Sequence, residues 1–244
     1  MLVGLTGVGG GSLMTPLLVL LFGFHPATAV GTDLLYASVT KSVGTVVHHK
    51  GQTVDWKIVG GLATGSIPAA ALTLFAMSQL GATTSHSPLI LNVLLGSALL
   101  LTSFAVFFRP RIIRWAGDHL EAMDEARVRR RTIILGAILG VLVSITSVGA
   151  GALGTTALLI LYPKLPVARI AGSDIAHAVP LTLIAGIGHW LMGSVDFTLM
   201  GALLLGSVPG IIVGSLLGSR SSDAILRPIL AATLLIVAVR LLTA

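Results

Sequence analysis

Apolar residues fill eight long runs along the chain, separated by short polar or basic stretches. The runs cover residues 1–22, 27–48, 57–77 and 88–108 in the first half, and 132–161, 167–190, 197–218 and 224–243 in the second. About 20 apolar residues are what a helix needs to cross the ~30 Å hydrocarbon core of a bilayer. The pattern therefore predicts an all-α polytopic membrane protein.

The second half of the chain repeats the first at an offset of 140 to 141 residues. The matching positions are glycines, prolines, hydroxyls and acids, whereas chance similarity between apolar segments would match leucines. Many transporters contain such duplicated membrane domains. We predict a first repeat at 1–108, a basic linker at 109–131 and a second repeat at 132–244. The matching stretches are 6–11 with 146–151, 31–33 with 172–174, 54–56 with 195–197, and 65–68 with 206–209.

The first run of each half is interrupted by glycines. As one helix, residues 132–161 would be about 45 Å long, which exceeds the hydrocarbon core, and the glycines within 147–151 lower helix propensity. Two interpretations compete: a long, tilted and broken span, or a re-entrant hairpin of two half-helices. Only five residues precede Thr6, whereas about fifteen helical residues precede Thr146, so we expect the first arm of the first hairpin to be clipped.

The basic residues favour the hairpins. If both glycine-broken runs are hairpins, each half has three true spans, the halves are inverted, and thirteen of the fifteen lysines and arginines lie on one side. If both runs cross the membrane, giving eight spans, four of these residues move to the other side. Because lysine and arginine concentrate in cytoplasmic loops, we predict four-segment inverted repeats that each open with a re-entrant hairpin, and a cytoplasmic linker.

Composition limits the function further. The chain is 55% hydrophobic and 10% charged, with a mean hydropathy of +0.99 and no cysteine. This is too little charge for the surface of a soluble domain, and it leaves no disulfide or thiolate metal site. The net charge of +6 lies in loops and not in an aromatic-studded patch, so no nucleic-acid partner is expected. The absence of a Gly-x-Ser-x-Gly motif or paired catalytic carboxylates argues against an enzyme, and no cofactor is predicted.

Polarity separates the helices by role. Residues 89–108 and 224–243 are almost uniformly apolar and are expected to face lipid. Residues 27–48 and 167–190 carry acids, hydroxyls, histidines and a lysine, which are costly in hydrocarbon. We expect these two helices to face the bundle interior and line the site.

The glycine-rich turns are the predicted binding site. A half-helix that starts after Gly11 or Gly151 points free N–H groups and its positive dipole end into the membrane, and two such ends from inverted repeats would form an anion site. A tight turn that needs small residues would explain the glycines without a ligand. The predicted substrate-binding residues are Thr6, Gly9, Gly10, Gly11, Ser12, Thr15, Lys41, Ser147, Gly149, Gly151 and Thr155, with Thr156 as a further hydroxyl donor.

Asp33, Lys41 and Asp174 lie well inside the two polar helices. Lys41 either snorkels toward the interface near Lys50, or pairs with Asp33 or a bound anion. Asp33 and Asp174 are equivalent acids, which either hydrogen-bond near helix ends with their hydroxyl neighbours or take up and release protons. An acid beside an anion site is tolerable only if it can bind a proton, which would couple transport to proton movement.

Four histidines raise the question of a metal site. His48, His49, His177 and His189 have no carboxylate or cysteine at ligand spacing on the same face. We therefore predict interface or capping roles for them and no metal.

With these motifs, the chain resembles the TauE/SafE sulfite exporter family, also called the toluene-sulfonate uptake permease family. The resemblance is carried by GVGGGSLMTPLL, AVGTDLLYASVTKSVGTVVHHKGQTVDW, GSDIAHAVPLTLIAGIGHW and GSVDF. It implies a multi-pass transporter of the prokaryotic inner membrane for small anions, often sulfur oxyanions or organosulfonates. The second hairpin reads GAGALG where the first has GGGSLM, so the two turns need not contribute equally.

We expect alternating access around one bound anion, with protons as a candidate coupling ion. An anion channel without a gating cycle and a non-transporting membrane scaffold are the alternatives. The sequence leaves open the anion, the direction of transport and the oligomeric state, including a homodimer.

Overall fold

The computed structural model describes residues 11–79, 88–119, 124–218 and 223–243. These residues form nine helices and no strand, so the predicted all-α class is confirmed for the described part of the chain. The helices are α1 (Gly11–Phe22), α2 (Pro26–Lys50), α3 (Trp56–Gln79), α4 (Pro88–His119), α5 (Glu125–Thr146), α6 (Ala152–Leu161), α7 (Val167–Leu191), α8 (Phe197–Gly218) and α9 (Asp223–Thr243).

The chain breaks between α5 and α6, where the glycines predict it. We call residues 147–151 the glycine turn. Ser147 has a left-handed φ of 57°, and Gly149 and Gly151 have φ of 122° and 123°. L side chains rarely adopt these last two conformations, so both positions favour glycine. Gly11, the equivalent of Gly151, begins α1.

Helices α2 and α7 form the centre of the bundle. They pack against each other, and α3 packs against both α5 and α7. The first half of α2 and the middle of α7 are almost completely buried. The prediction that these two polar helices face the bundle interior is therefore confirmed for the middle of α7 and the first half of α2, whereas the second half of α2 is half-buried or exposed.

Helices α4 and α9 pair at the periphery. One face of each contributes to the apolar core through Leu95, Leu99, Leu234 and Leu241. The opposite faces expose large apolar side chains, including Leu101, Phe104, Phe107, Ile236 and Val239. Exposed apolar surface of this extent suits contact with lipid.

Three of the described helices are long and apolar enough to cross a membrane. They cover Trp56–Gln79, Ile90–Trp115 and Val167–Leu191. The first of these helices, α3, packs tightly against α5 at Gly65. A Cβ added there would overlap the carbonyl oxygen of Ile133 on α5. Gly65 therefore permits close packing of α3 against α5.

Equivalent positions of the two halves approach each other's backbone in the same way. A Cβ added to Gly31 on α2 would overlap the carbonyl oxygen of Ser194, and one added to Gly172 on α7 would overlap that of Thr53. Glycine is therefore required at both positions for the loop of one half to reach the central helix of the other.

Matching hydrogen bonds accompany these close approaches. The backbone N–H of Asp196 donates to Thr32 Oγ1 at 3.0 Å, and the N–H of Asp55 donates to Ser173 Oγ at 2.8 Å. The carboxylates of Asp55 and Asp196 accept backbone N–H bonds from the first turns of α3 and α8. Both aspartates therefore act as N-caps of these helices.

Candidate functional site

The glycine turn is buried but surrounded by polar groups from α2. Ser147 Oγ donates a hydrogen bond to Asp33 Oδ2 at 2.9 Å, and Lys41 Nζ donates to the carbonyl oxygen of Ala150 at 3.4 Å. Asp33 and Lys41 are eight residues apart on α2, or about 12 Å at 1.5 Å per residue. Helix α2 of the first half thus places a carboxylate and an ammonium group beside the glycine turn of the second half.

Asp33 joins the two halves of the chain. Its Oδ2 accepts a 2.6 Å hydrogen bond from Thr15 Oγ1 of α1 in addition to the bond from Ser147. The residue is fully buried, and its Oδ1 has no hydrogen-bond partner among the described residues. This acid therefore has a free acceptor atom at the point where α1, α2 and the glycine turn meet.

Asp174 belongs to α7, and its side chain reaches the start of α6. Its Oδ2 accepts a 3.0 Å hydrogen bond from Thr155 Oγ1, and the backbone of Gly151 also interacts with the carboxylate. Gly154 leaves room for this group, since a Cβ there would overlap Asp174 Oδ1. A carboxylate of the protein itself thus occupies the helix N-terminus that was predicted to bind an anion.

The two acids occupy equivalent positions, but among the described residues Asp33 has one more hydroxyl donor than Asp174. Thr15 and Thr155 are equivalent residues, and each donates to the acid of its own half. The sequence suggested the neighbouring hydroxyls Thr32 and Ser173 as the partners of the acids, but these bond to the loops of the opposite half. Ser147 is the second hydroxyl donor to Asp33. The residue equivalent to Ser147 in the first half is Gly7, which has no hydroxyl group to donate.

The Lys41 side chain extends to the glycine turn. Besides the bond to Ala150, its ammonium is attracted electrostatically by the carboxylates of Asp174 and Asp33. Arg109 of α4 is a second positive group that attracts Asp174. The ammonium of this partly buried lysine therefore reaches the glycine turn and does not extend toward Lys50.

The other predicted site residues fall in three groups. Thr6, Gly9 and Gly10 lie outside the described residues, and Gly11 and Ser12 lie in the first turn of α1. Thr15, Lys41, Ser147, Gly149, Gly151 and Thr155 lie at or beside the two acids and the glycine turn. Thr156 Oγ1 instead donates to the carbonyl oxygen of Ala152 within α6, so this hydroxyl is engaged by its own helix.

Two histidines are buried, contrary to the predicted interface or capping roles. His177 Nε2 lies 2.8 Å from Ser66 Oγ of α3, and His189 Nε2 lies 2.8 Å from the carbonyl oxygen of Ser144 on α5. Their burial follows from the packing of α7 against α3 and α5, which sequence position alone did not reveal. Among the described residues, no three His, Cys, Asp or Glu side chains are grouped so as to hold a metal ion.

Some predictions for the histidines hold. His48 lies at the end of α2, where its Nδ1 is 2.8 Å from Thr53 Oγ1, as expected for a capping residue. His49 packs edge-on against Trp56 and is exposed, as an interface residue should be.

A large cavity lies at the other end of α6, away from the glycine turn. Its volume is about 1060 Å³, and the ends of α3, α4, α5 and α6 line it. None of Asp33, Lys41 and Asp174 is among its lining residues. The two acids and Lys41 therefore form a site distinct from this cavity.

Comparison with known proteins identifies a family. The sequence model of the sulfite exporter TauE/SafE family matches residues 1–241. The chain is 40% identical over 242 residues to the "Probable membrane transporter protein YjnA" of Bacillus subtilis, covering 99% of this chain and 94% of that protein. It is 28% identical to YdhB of the same organism, over 88% of this chain and 84% of YdhB. A Methanocaldococcus jannaschii protein, MJ0441, is 25% identical over 79% of this chain and 68% of its own length. YdhB and MJ0441 are also named probable membrane transporter proteins, and no solved structure gives a significant match.

Proposed function

This chain belongs to the sulfite exporter TauE/SafE family of membrane proteins, and from that premise we propose that it carries small anions across the prokaryotic inner membrane by alternating access. Sulfur oxyanions and organosulfonates are the proposed substrate class. Its relatives YjnA and YdhB are named probable membrane transporter proteins, which supports transport as the activity.

The observation that carries the proposal is the convergence of positive groups on the glycine turn. The ammonium of Lys41 reaches this turn from α2, and the N-terminus of α6 begins there. A helix N-terminus and a buried ammonium each stabilise a negative charge. In the described structure Asp174 supplies that charge, and a substrate anion would take its place beside Lys41.

Exchange between Asp174 and the substrate gives the acids their role in the cycle. Two negative charges at one buried position repel each other strongly. When the anion enters, the carboxylate must therefore leave the turn or bind a proton. We propose that proton binding by Asp174, with Asp33 as its counterpart in the other half, couples anion movement to proton movement.

The matching contacts of the two halves support an inverted arrangement. The pairs Thr15–Asp33 and Thr155–Asp174 are equivalent, as are the loop contacts to Gly31 and Gly172. We propose that the halves are inverted about the bilayer plane and rock against each other to expose the site to either side. From their positive residues, we propose that the linker and the loop after α6 lie in the cytoplasm.

Cysteine labelling tests this topology directly, because the chain contains no cysteine of its own. We expect a membrane-impermeant maleimide to label His49→Cys and Pro163→Cys from the same side of the membrane, and His25→Cys from the opposite side. All three positions are exposed. An eight-span protein would instead place residues 49 and 163 on opposite sides, and that result would exclude the re-entrant hairpin at 132–161.

Transport in proteoliposomes tests the function. We expect saturable uptake of radiolabelled thiosulfate, competition by at least one of sulfite, sulfate and toluenesulfonate, and faster uptake when a pH gradient is applied at clamped membrane voltage. Liposomes without protein are the control. Flux that never saturates and follows voltage alone would identify a channel. Flux equal to that of empty liposomes, for every anion tried, would indicate a scaffold.

A further inference from the structure

We propose that the 1060 Å³ cavity at the end of α6 binds the headgroup of an anionic glycerophospholipid. This binding is separate from the proposed transport activity, but it rests on the cytoplasmic placement proposed for this end of the bundle. The cavity lies between the starts of α3 and α5, the last turns of α4 and α6, and the loop that follows α6. It therefore touches both halves of the chain.

The rim of the cavity carries cations from three different segments. Lys57 comes from the first turn of α3, Arg129 from α5 and Lys164 from the loop after α6. All three side chains are exposed. Basic pockets between membrane helices on the cytoplasmic side bind anionic lipid headgroups, and three cations that line one cavity can attract a phosphodiester together.

Two acids also line the cavity but offset the cations only in part. Asp55 accepts a hydrogen bond from the backbone N–H of Lys57 at the start of α3, so its charge is engaged by a helix N-terminus. Glu125 is exposed at the start of α5. The lining retains an excess of positive charge.

The walls of the cavity are apolar, which distinguishes a lipid from a free phosphate. Ile58 of α3, Ile133 of α5 and Leu159 of α6 are among the lining residues. A Cβ at Gly60 would meet nothing within 4 Å, so this part of α3 opens onto free space. The indole of Trp56 and the ring of Tyr162 also line the cavity, and such aromatic rings concentrate at the level of lipid headgroups.

Native mass spectrometry of the full-length protein in detergent tests the proposal. The probes are phosphatidylglycerol, cardiolipin and phosphatidylcholine of identical acyl chains, added at equal concentration. We expect the wild type to retain phosphatidylglycerol or cardiolipin at least tenfold better than phosphatidylcholine. Equal retention of all three lipids would overturn the proposal, and so would displacement of bound lipid by millimolar inorganic phosphate, which would identify a free-phosphate site.

Two variants place the binding in this cavity. The triple variant K57Q/R129Q/K164Q should lower the preference for anionic lipid at least tenfold, since each nearby cation strengthens attraction to anionic lipid. The matched control K50Q/R130Q/R131Q removes three exposed cations outside the cavity lining and should change the preference less than threefold. Equal losses in both triple variants would show a general surface effect and contradict a built site.

Gly60→Leu provides a second measurement that leaves every charge in place. The new side chain would project into the cavity and exclude the lipid, so retention of anionic lipid should fall at least fivefold while the thermal unfolding midpoint in detergent stays near that of wild type. Unchanged lipid retention in a folded Gly60→Leu protein would overturn the proposal. This variant remains informative if the triple variant fails to fold.

Discussion

Lys41→Gln lowers the affinity for the best-bound anion by about thirtyfold or more, measured by calorimetric titration of the purified protein. Removing one partner of a buried charge interaction costs about 2–5 kcal/mol, and about 2 kcal/mol corresponds to roughly thirtyfold in affinity. The ammonium is the charged donor from α2 that reaches the glycine turn at Ala150. Glutamine keeps much of its length and polarity but not its charge.

Three further variants separate ligand binding from folding. Lys50→Gln, at the exposed end of the same helix, should change affinity less than threefold. Lys41→Arg keeps the charge and should retain more affinity than Lys41→Gln. Because Lys41→Gln also leaves Asp174 without its attractive ammonium, the double variant K41Q/D174N should recover thermal stability but not binding. If Lys41→Gln binds the anion as wild type does, Lys41 is not a ligand contact.

Asp174→Asn and Asp33→Asn abolish proton-driven accumulation while leaving anion exchange intact. A pH difference of one unit is worth about 1.4 kcal/mol per proton, which supports about tenfold accumulation of an anion that moves with one proton. Asparagine can keep the hydrogen bonds from Thr155 or from Thr15 and Ser147 but cannot bind and release a proton. The measurement is steady-state uptake into proteoliposomes at a fixed pH gradient, with voltage clamped by an ionophore.

The matched control for both acids is Asp196→Asn. This acid accepts the backbone N–H of Leu199 at the start of α8 and has no contact with the glycine turn among the described residues. The Asp196→Asn variant should accumulate anion to the same level as the wild-type protein. Wild-type accumulation by Asp174→Asn and Asp33→Asn would mean that these acids only hydrogen-bond, and the proton-coupled cycle would be withdrawn.

The internal duplication made much of the site predictable. Equivalent residues have equivalent surroundings, so the repeat predicted that Asp33 and Asp174 occupy matching positions. The break at 147–151 was also predictable, because glycines in an apolar run that is too long for one span leave few other conformations. These predictions depend on backbone preference and repetition, which a single sequence records directly.

Side-chain partners were harder to predict than positions. Lys41 has four methylene groups and can reach toward either end of its helix, so only packing decides its direction. His177 and His189 lie on α7, and their burial depends on which faces α3 and α5 cover. Ser66 Oγ contacts His177, and the backbone carbonyl of Ser144 contacts His189. The repeat marked the stretch 65–68 but not its partner, and a backbone carbonyl contact leaves no trace in the sequence.

The loop contacts at Gly31 and Gly172 have a mechanical consequence. At each, the main chain of one half presses against a glycine of the other, with no intervening side chain that could bend or slide. If the halves move as proposed, rotation about the line through these two glycines would disturb the contacts least. Sideways shear would break both contacts together. A larger side chain at either glycine should therefore block the relative motion of the two halves and hold the protein in one state of the proposed transport cycle, even though both glycines carry no chemistry of their own.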